Sequence, residues 1–68
     1  MDTAAEKGQR YARIFRKAGT LLGKGEIARA IDAFQEGEAL AEQLGDRGMA
    51  RRFADEIARA GKLDNPTR

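Results

Sequence analysis

Apolar residues recur every three or four positions in three successive segments of the chain, and glycines separate those segments. This spacing places the apolar side chains of each segment on one face of an α-helix. Nothing in the 68 residues alternates with the two-residue period of a strand, and valine is absent. The pattern therefore predicts an all-α fold of three antiparallel helices, near residues 3–22, 26–44 and 46–60.

The stretch GKGEIARAIDAF, residues 23–34, places two glycines directly before a strongly amphipathic run. Glycine readily adopts the left-handed conformation that often ends a helix, so Gly23 is expected to close the first helix in a tight turn. Gly45 is expected to end the second helix, and Asp46 to cap the third. Thr3, which is followed three residues later by glutamate, matches a capping box and predicts the start of the first helix.

Gly37 is unusual because it lies inside the second predicted helix, where glycine costs up to about 1 kcal/mol relative to alanine. Its position on the apolar face predicts the close approach of another helix. Gly61 is expected to end the third helix. The chain is therefore predicted to form one helical domain over residues 1–61, followed by a C-terminal tail at residues 62–68.

Composition restricts the chemistry that this chain can perform. It contains no histidine, cysteine or serine, so it lacks a side chain that titrates near neutral pH and the usual nucleophiles. The carboxylate pairs on the second helix, Asp32 with Glu36 and Glu38 with Glu42, are typical of a solvated face, because di-metal sites in bundles also use histidine. We expect no enzyme activity, no metal and no cofactor.

The apolar residues lie in short groups, far from the roughly 20 consecutive residues that span a bilayer. The N-terminus does not have the basic and apolar regions of a signal peptide. The sequence therefore predicts a soluble, cytoplasmic protein without a membrane partner.

Charge changes sign along the chain. Residues 1–24 carry six basic and two acidic side chains, residues 25–45 carry one and five, and residues 46–68 carry six and four. In an antiparallel bundle the acidic middle helix would lie against both basic helices, so the charges would complement each other within the molecule. A charged binding face is the alternative interpretation.

The turn and second helix resemble those of a tetratricopeptide repeat, a helix–turn–helix unit of about 34 residues. Gly25, Ala30 and Phe34 stand at the spacing of that pattern, and Gly61 follows Gly25 by 36 residues, at the equivalent turn of a following repeat. The resemblance spans most of residues 11–61, or one and a half repeats. The other matching positions are Ile14, Ala18, Leu21, Ala50, Phe53, Ala54 and Ile57.

The sequence departs from the repeat pattern at Lys17, where leucine is usual, and at Gly37, where alanine is common. An ordinary three-helix bundle is the alternative fold. If the resemblance holds, the first helices of successive repeats line a concave groove that suits a peptide with acidic groups. The residues that the resemblance turns toward this groove are Phe15, Gly19, Leu22, Arg51, Asp55 and Arg59. Alternatively, the apolar members belong to the core and the arginines to a solvated face.

The resemblance implies a small, non-catalytic protein-interaction module, acting as an adaptor or assembly factor on a protein or peptide partner. The alternative function is a basic helical bundle that binds nucleic acid, because the first helix and the start of the third are basic. The basic residues are Lys7, Arg10, Arg13, Arg16 and Lys17 of the first helix and Arg47, Arg51 and Arg52 of the third. The acidic residues of the second helix would repel a phosphate backbone nearby.

Repeat units bury their apolar faces on neighbouring repeats, and about three repeats are normally needed for stability. With one and a half repeats, the third helix lacks the partner helix that a complete second repeat would place over Phe53 and Ile57. The sequence therefore predicts a homo-oligomer, most simply a two-fold dimer, with Phe53 and Ile57 at the interface.

Overall fold

The computed structural model describes residues 4–64. These residues form three helices, α1 (Ala4–Gly23), α2 (Ile27–Gln43) and α3 (Arg47–Asp64). No strand occurs among them, so the predicted all-α fold of three helices is confirmed. Thr3, the predicted cap of the first helix, and residues 65–68 of the predicted tail lie outside the described residues.

The two turns between the helices have the same backbone. Gly25 and Gly45 have φ values of 78° and 72°, a conformation that glycine adopts without steric cost. In the first turn, the Gly25 amide donates a hydrogen bond to the Leu22 carbonyl over 3.0 Å. The Glu26 amide donates to the Leu21 carbonyl over 2.9 Å, and the second turn repeats both bonds at equivalent positions. Both turns are therefore Schellman motifs.

Two other glycines differ from their predicted roles. Gly23 is the last residue of α1, and Gly25, not Gly23, takes the left-handed conformation of the turn. The predicted end of the third helix at Gly61 is also wrong, since α3 continues to Asp64. Gly61 does not have a positive φ, so its backbone conformation does not stop the helix. The first residues of the predicted tail are consequently helical.

The middle helix, α2, packs against both α1 and α3. The backbones of α1 and α3 remain farther apart, because no Cα atom of α1 lies within 8 Å of one of α3 among residues 4–64. Each turn comprises only three residues, 24–26 and 44–46, so successive helices run antiparallel. It follows that α1 and α3 run parallel, with a gap between them that only long side chains can fill.

Aromatic rings fill the gap between α1 and α3. Phe53 of α3 is fully buried within the single chain. Its ring stacks on that of Phe15 at a centroid distance of 4.8 Å, and the Tyr11 ring lies 5.7 Å away. The ring centroid of Phe34 in α2 lies 6.4 Å from that of Phe53. These distances are typical of favourable aromatic pairs, so Phe53 is the centre of the core.

Gly37 lies in α2 directly against the Phe53 ring. A Cβ atom at this position would overlap Cε1 and Cζ of Phe53 and would lie 2.8 Å from Cδ1. The predicted close approach of a helix at Gly37 is therefore confirmed, and the approaching helix is α3. The rest of the core is rich in alanine, which also lets helices pack closely; these residues are Ala18, Ala30, Ala33, Ala41 and Ala60.

Asp46 directly precedes α3 and joins it to α1 through its side chain. Its Oδ1 accepts a hydrogen bond from the Met49 amide at 3.1 Å, which confirms the predicted cap. Its Oδ2 accepts a hydrogen bond from the Tyr11 hydroxyl at 3.2 Å and lies 3.3 Å from Lys7 Nζ. The Met49 amide, aided by Lys7 and Tyr11, holds the pKa of Asp46 below its usual value. Burial, together with the Asp46 carboxylate, raises the pKa of Tyr11.

Glu26 occupies the equivalent position in the first turn but makes no side-chain cap on α2. Its carboxylate instead pairs with Arg29 at 2.6 Å on the surface. A second surface pair, between Lys17 and Glu36 at 3.7 Å, joins α1 to α2. Exposed pairs of this kind contribute little to stability. Both turns thus have the same backbone hydrogen bonds, and the second turn is also joined to α1 through the Asp46 side chain.

Candidate protein-binding groove

The backbones of α1 and α3 are too far apart to pack against each other, so their facing sides leave a groove above the aromatic core. Arg52 of α3 reaches across it, and its guanidinium carbon lies 5.3 Å from the centroid of the Phe15 ring. Residues three, four or seven positions along a helix from these two share their helix faces. The α1–α3 groove, as we define it, is lined by Phe15, Gly19 and Leu22 of α1 and by Gly48, Arg52, Asp55, Glu56 and Arg59 of α3.

The α1 side of the groove is apolar and has an open gap. Phe15 and Leu22 are half-buried and pack against the core, so each belongs both to the core and to the accessible surface. Gly19 is exposed, and no atom lies within 4 Å of the place that a Cβ would occupy. The three residues that the repeat resemblance assigned to α1 therefore share one side of the helix.

The α3 side of the groove is charged. Arg51 pairs with Asp55 at 3.8 Å, and Arg59 pairs with Glu56 at 3.6 Å. The three residues predicted on this helix line a single shallow cavity of about 320 Å³, and the full lining is Gly48, Arg51, Arg52, Asp55, Glu56 and Arg59. Arg51 is the most exposed of the three predicted residues, at 83% for its side chain, and lies at the rim of the groove.

Arg52 is the functional candidate that the sequence reasoning counted among the basic residues but did not place in the groove. It is exposed, and no carboxylate of the described residues lies within ion-pair distance of it, whereas Arg51 and Arg59 both have acidic partners. Its planar guanidinium is placed over an aromatic ring, a geometry that orients the cation and leaves its donors for a ligand. The available signal was its position directly before Phe53, which places it at the edge of the buried face.

The two residues predicted at an oligomer interface lie in different environments. Phe53 is fully buried inside the chain, so it offers no surface to a second copy. Ile57 is half-buried and packs against the core, and its neighbour Ala54 is also partly exposed. Only the Ile57 side of α3 is accessible for the contact that the sequence predicts.

A second cavity, of about 420 Å³, lies between α1 and α2. Its walls carry Lys17, Arg29, Asp32 and Glu36, and the Lys17–Glu36 ion pair lies across it. These charges are of both signs: Lys17 pairs with Glu36, Arg29 pairs with Glu26, and Asp32 has no ion-pair partner among the described residues. Within residues 4–64, no group of three or more acidic side chains could hold a metal ion, and no helix has the length and apolar content to cross a bilayer.

Comparisons with protein families, with curated proteins and with solved structures find no significant match to this chain. The resemblance to a tetratricopeptide repeat therefore remains a prediction that rests on the spacing of residues.

Proposed function

We propose that this chain is a small, non-catalytic protein-interaction module, resembling a tetratricopeptide repeat, that binds a protein or peptide partner in the α1–α3 groove. The observation that carries this proposal is Arg52, an exposed cation that lies on Phe15 without a carboxylate partner among the described residues. Apolar contact would come from Phe15 and Leu22. Specificity would come from Arg51, Asp55 and Arg59.

The chemistry of the groove suits a partner segment that carries carboxylates. Arginine binds a carboxylate through two parallel hydrogen bonds, and a guanidinium already oriented by an aromatic ring loses less freedom when it does so. The Arg51–Asp55 pair is exposed on both sides, so a carboxylate of the partner could replace Asp55 at little cost. We propose a cytoplasmic location for this module.

The experiment is affinity capture of the partner by the wild-type chain and by Arg51→Glu and Arg52→Glu, with Arg13→Glu as the matched control. Arg13 is an exposed arginine outside the α1–α3 groove. We expect capture to be lost in both groove variants and retained in the control. Equal capture by all four proteins would refute the assignment of the groove.

Nucleic-acid binding is tested on the same proteins with duplex DNA. Binding to phosphates weakens steeply as salt rises, because counterions are released. Several of the surface cations already have acidic partners within the chain, among them Lys17, Arg29, Arg51 and Arg59. We therefore expect weak binding to DNA. Tight binding with a steep salt dependence that Arg13→Glu reduces as much as Arg52→Glu would favour the alternative function.

Self-association is part of the proposal. A chain of this size buries a small core, and the Ile57 side of α3 and the α1–α3 groove both leave apolar side chains half-exposed. Sedimentation equilibrium at micromolar concentration measures self-association. A monomer mass at every concentration, together with a melting temperature that does not depend on concentration, would contradict self-association.

A further inference from the structure

The outer face of α2 is the surface of this chain that complements the α1–α3 groove. The residues that line this outer face are all exposed and recur at helical spacing: Ala28, Asp32, Gln35, Ala39 and Glu42. Neither Asp32 nor Glu42 has a cation within ion-pair distance among the described residues, which is also the condition of Arg52 in the groove. One chain thus presents unpaired carboxylates on one side and an unpaired guanidinium on another.

The two surfaces lie on opposite sides of the molecule. The inward face of α2 packs on α1 and α3 and underlies the aromatic core, so its outer face points away from the groove that lies above that core. A chain therefore cannot bring its own α2 face to its own groove. A second copy can do so.

We propose that the outer face of α2 in one copy docks in the α1–α3 groove of the next copy, head to tail. This proposal rests on the proposed self-association and assigns its surfaces. Asp32 and Glu42 of one copy approach Arg52 and Arg59 of the next. The small side chain of Ala39, between the two carboxylates, lies toward the gap at Gly19.

A second copy is favoured over a flexible acidic peptide by the cost of ordering. The α2 helix is already held rigid by α1 and α3, so docking does not require a coil to become helical. A disordered segment would lose conformational freedom on binding, and that loss weakens its affinity. A head-to-tail contact also leaves one groove and one α2 face free at the ends of every assembly, so the assembly can grow beyond a dimer.

The test uses two variants of the full chain. The groove variant, Arg52→Glu with Arg59→Glu, keeps an intact α2 face. The face variant, Asp32→Asn with Glu42→Gln, keeps an intact groove. All four positions are exposed, so both variants should retain the helical circular dichroism of the wild type. The matched control is Arg13→Glu, outside both surfaces.

Sedimentation equilibrium is run on each protein alone and on an equimolar mixture of the two variants. The wild type and the control should show a mass that rises with concentration past a dimer and falls with salt. Each variant alone should associate at least about tenfold more weakly, since charge pairs at an interface are lost. The mixture should form a one-to-one dimer and stop there, because only one intact groove and one intact face remain.

Three outcomes overturn the proposal. They are a monomeric wild type, a wild-type dimer that neither variant weakens, and a mixture that associates no more than the separate variants. A dimer that persists in both variants but is lost in Ile57→Asp would place self-association on the Ile57 side of α3. Loss of self-association together with retained capture of another protein would overturn this inference and leave the proposed partner binding intact.

Discussion

Arg52 and Phe53 are neighbours in the sequence, both contact Phe15, and they have opposite roles. Phe53 approaches Phe15 from within the core and has no exposed surface. Arg52 contacts the same ring from the groove and is exposed. A step of one residue along an α-helix turns the side chain by about 100°, which is enough to pass from the core of α3 to its groove side.

The difference indicates how so short a chain can have both a fold and a binding surface. The core side of α3 has no spare space, because Gly37 leaves only enough room for the Phe53 ring. The groove side has open space at Gly19 and a cation without an acidic partner among the described residues. Stability should therefore depend on one side of the helix and binding on the other.

The largest effect is expected from Phe53→Ala. Truncating a fully buried phenylalanine costs about 3–5 kcal/mol. A domain of this size has a total stability of roughly 3–10 kcal/mol, so the variant should lose a large part of its stability. Circular dichroism during urea unfolding measures this. Leu63→Ala is the control, since its side chain is 60% exposed, and a similar loss there would contradict the account.

Gly37→Ala should destabilise the chain although alanine is the better helix former. Overpacking a close contact costs about 1–3 kcal/mol, and the gain in helix propensity is at most about 1 kcal/mol. The overlap is with the Phe53 ring, so Phe53→Leu in the same chain should recover part of the loss. A double-mutant cycle from urea unfolding measures the coupling. Additive effects would show that the two residues do not define the packing.

Asp46 caps the start of α3, and its contribution to stability depends on pH. Its pKa is lowered by folding, so its contribution is complete above the ordinary aspartate value of about 3.9 and is lost as the pH falls below that value. Asp46→Asn retains a capping side chain that does not titrate. We expect the stability difference between wild type and Asp46→Asn to shrink as the pH falls below about 4.

Urea unfolding at several pH values measures this difference. Glu26→Gln is the control, because Glu26 makes no cap in the equivalent turn, and its difference from the wild type should vary less with pH. A constant difference for Asp46→Asn over the same range would mean that the carboxylate does not hold α1 to α3.

The smallest effect on stability is expected on the groove side. Arg52→Ala removes an exposed cation from the Phe15 ring, a contact worth about 0.5–1 kcal/mol. The midpoint of urea unfolding should therefore move little, and Arg13→Ala should move it less. A loss above about 2 kcal/mol would show that Arg52 is a core residue, and the distinction between the two sides of α3 would fail.

Local rules predict much of this fold. The three helices follow from apolar spacing, and Asp46 caps α3 as expected of an aspartate after a glycine. Gly37 was informative because a costly residue on an apolar face requires a compensating contact, and the Phe53 ring supplies it. Gly23 and Gly61 show the limit of such rules, because a glycine can also be part of a helix. The sequence does not show which glycine takes the positive φ of the first turn, and in the structure it is Gly25.

The groove was less predictable because it depends on the arrangement of whole helices. Spacing places Arg51, Asp55 and Arg59 on one side of α3, and the cavity they line agrees with that. Spacing places Arg52 about 100° from Phe53 around α3 and Arg51 almost opposite Phe53. It could not show that the Arg52 side faces Phe15, because that depends on the direction of α1. Phe53 was assigned to an interface because a sequence pattern does not reveal that rings from two other helices cover it.

The separation of α3 into a core side and a binding side is tested most directly by measuring affinity capture and urea unfolding on the same preparations of Arg52→Glu and Phe53→Leu. We predict that Arg52→Glu loses capture while its unfolding midpoint stays near that of the wild type. We predict that Phe53→Leu unfolds at a lower urea concentration but still captures the partner under conditions in which it is folded. If each variant lost capture only to the extent that it lost stability, the account would be contradicted.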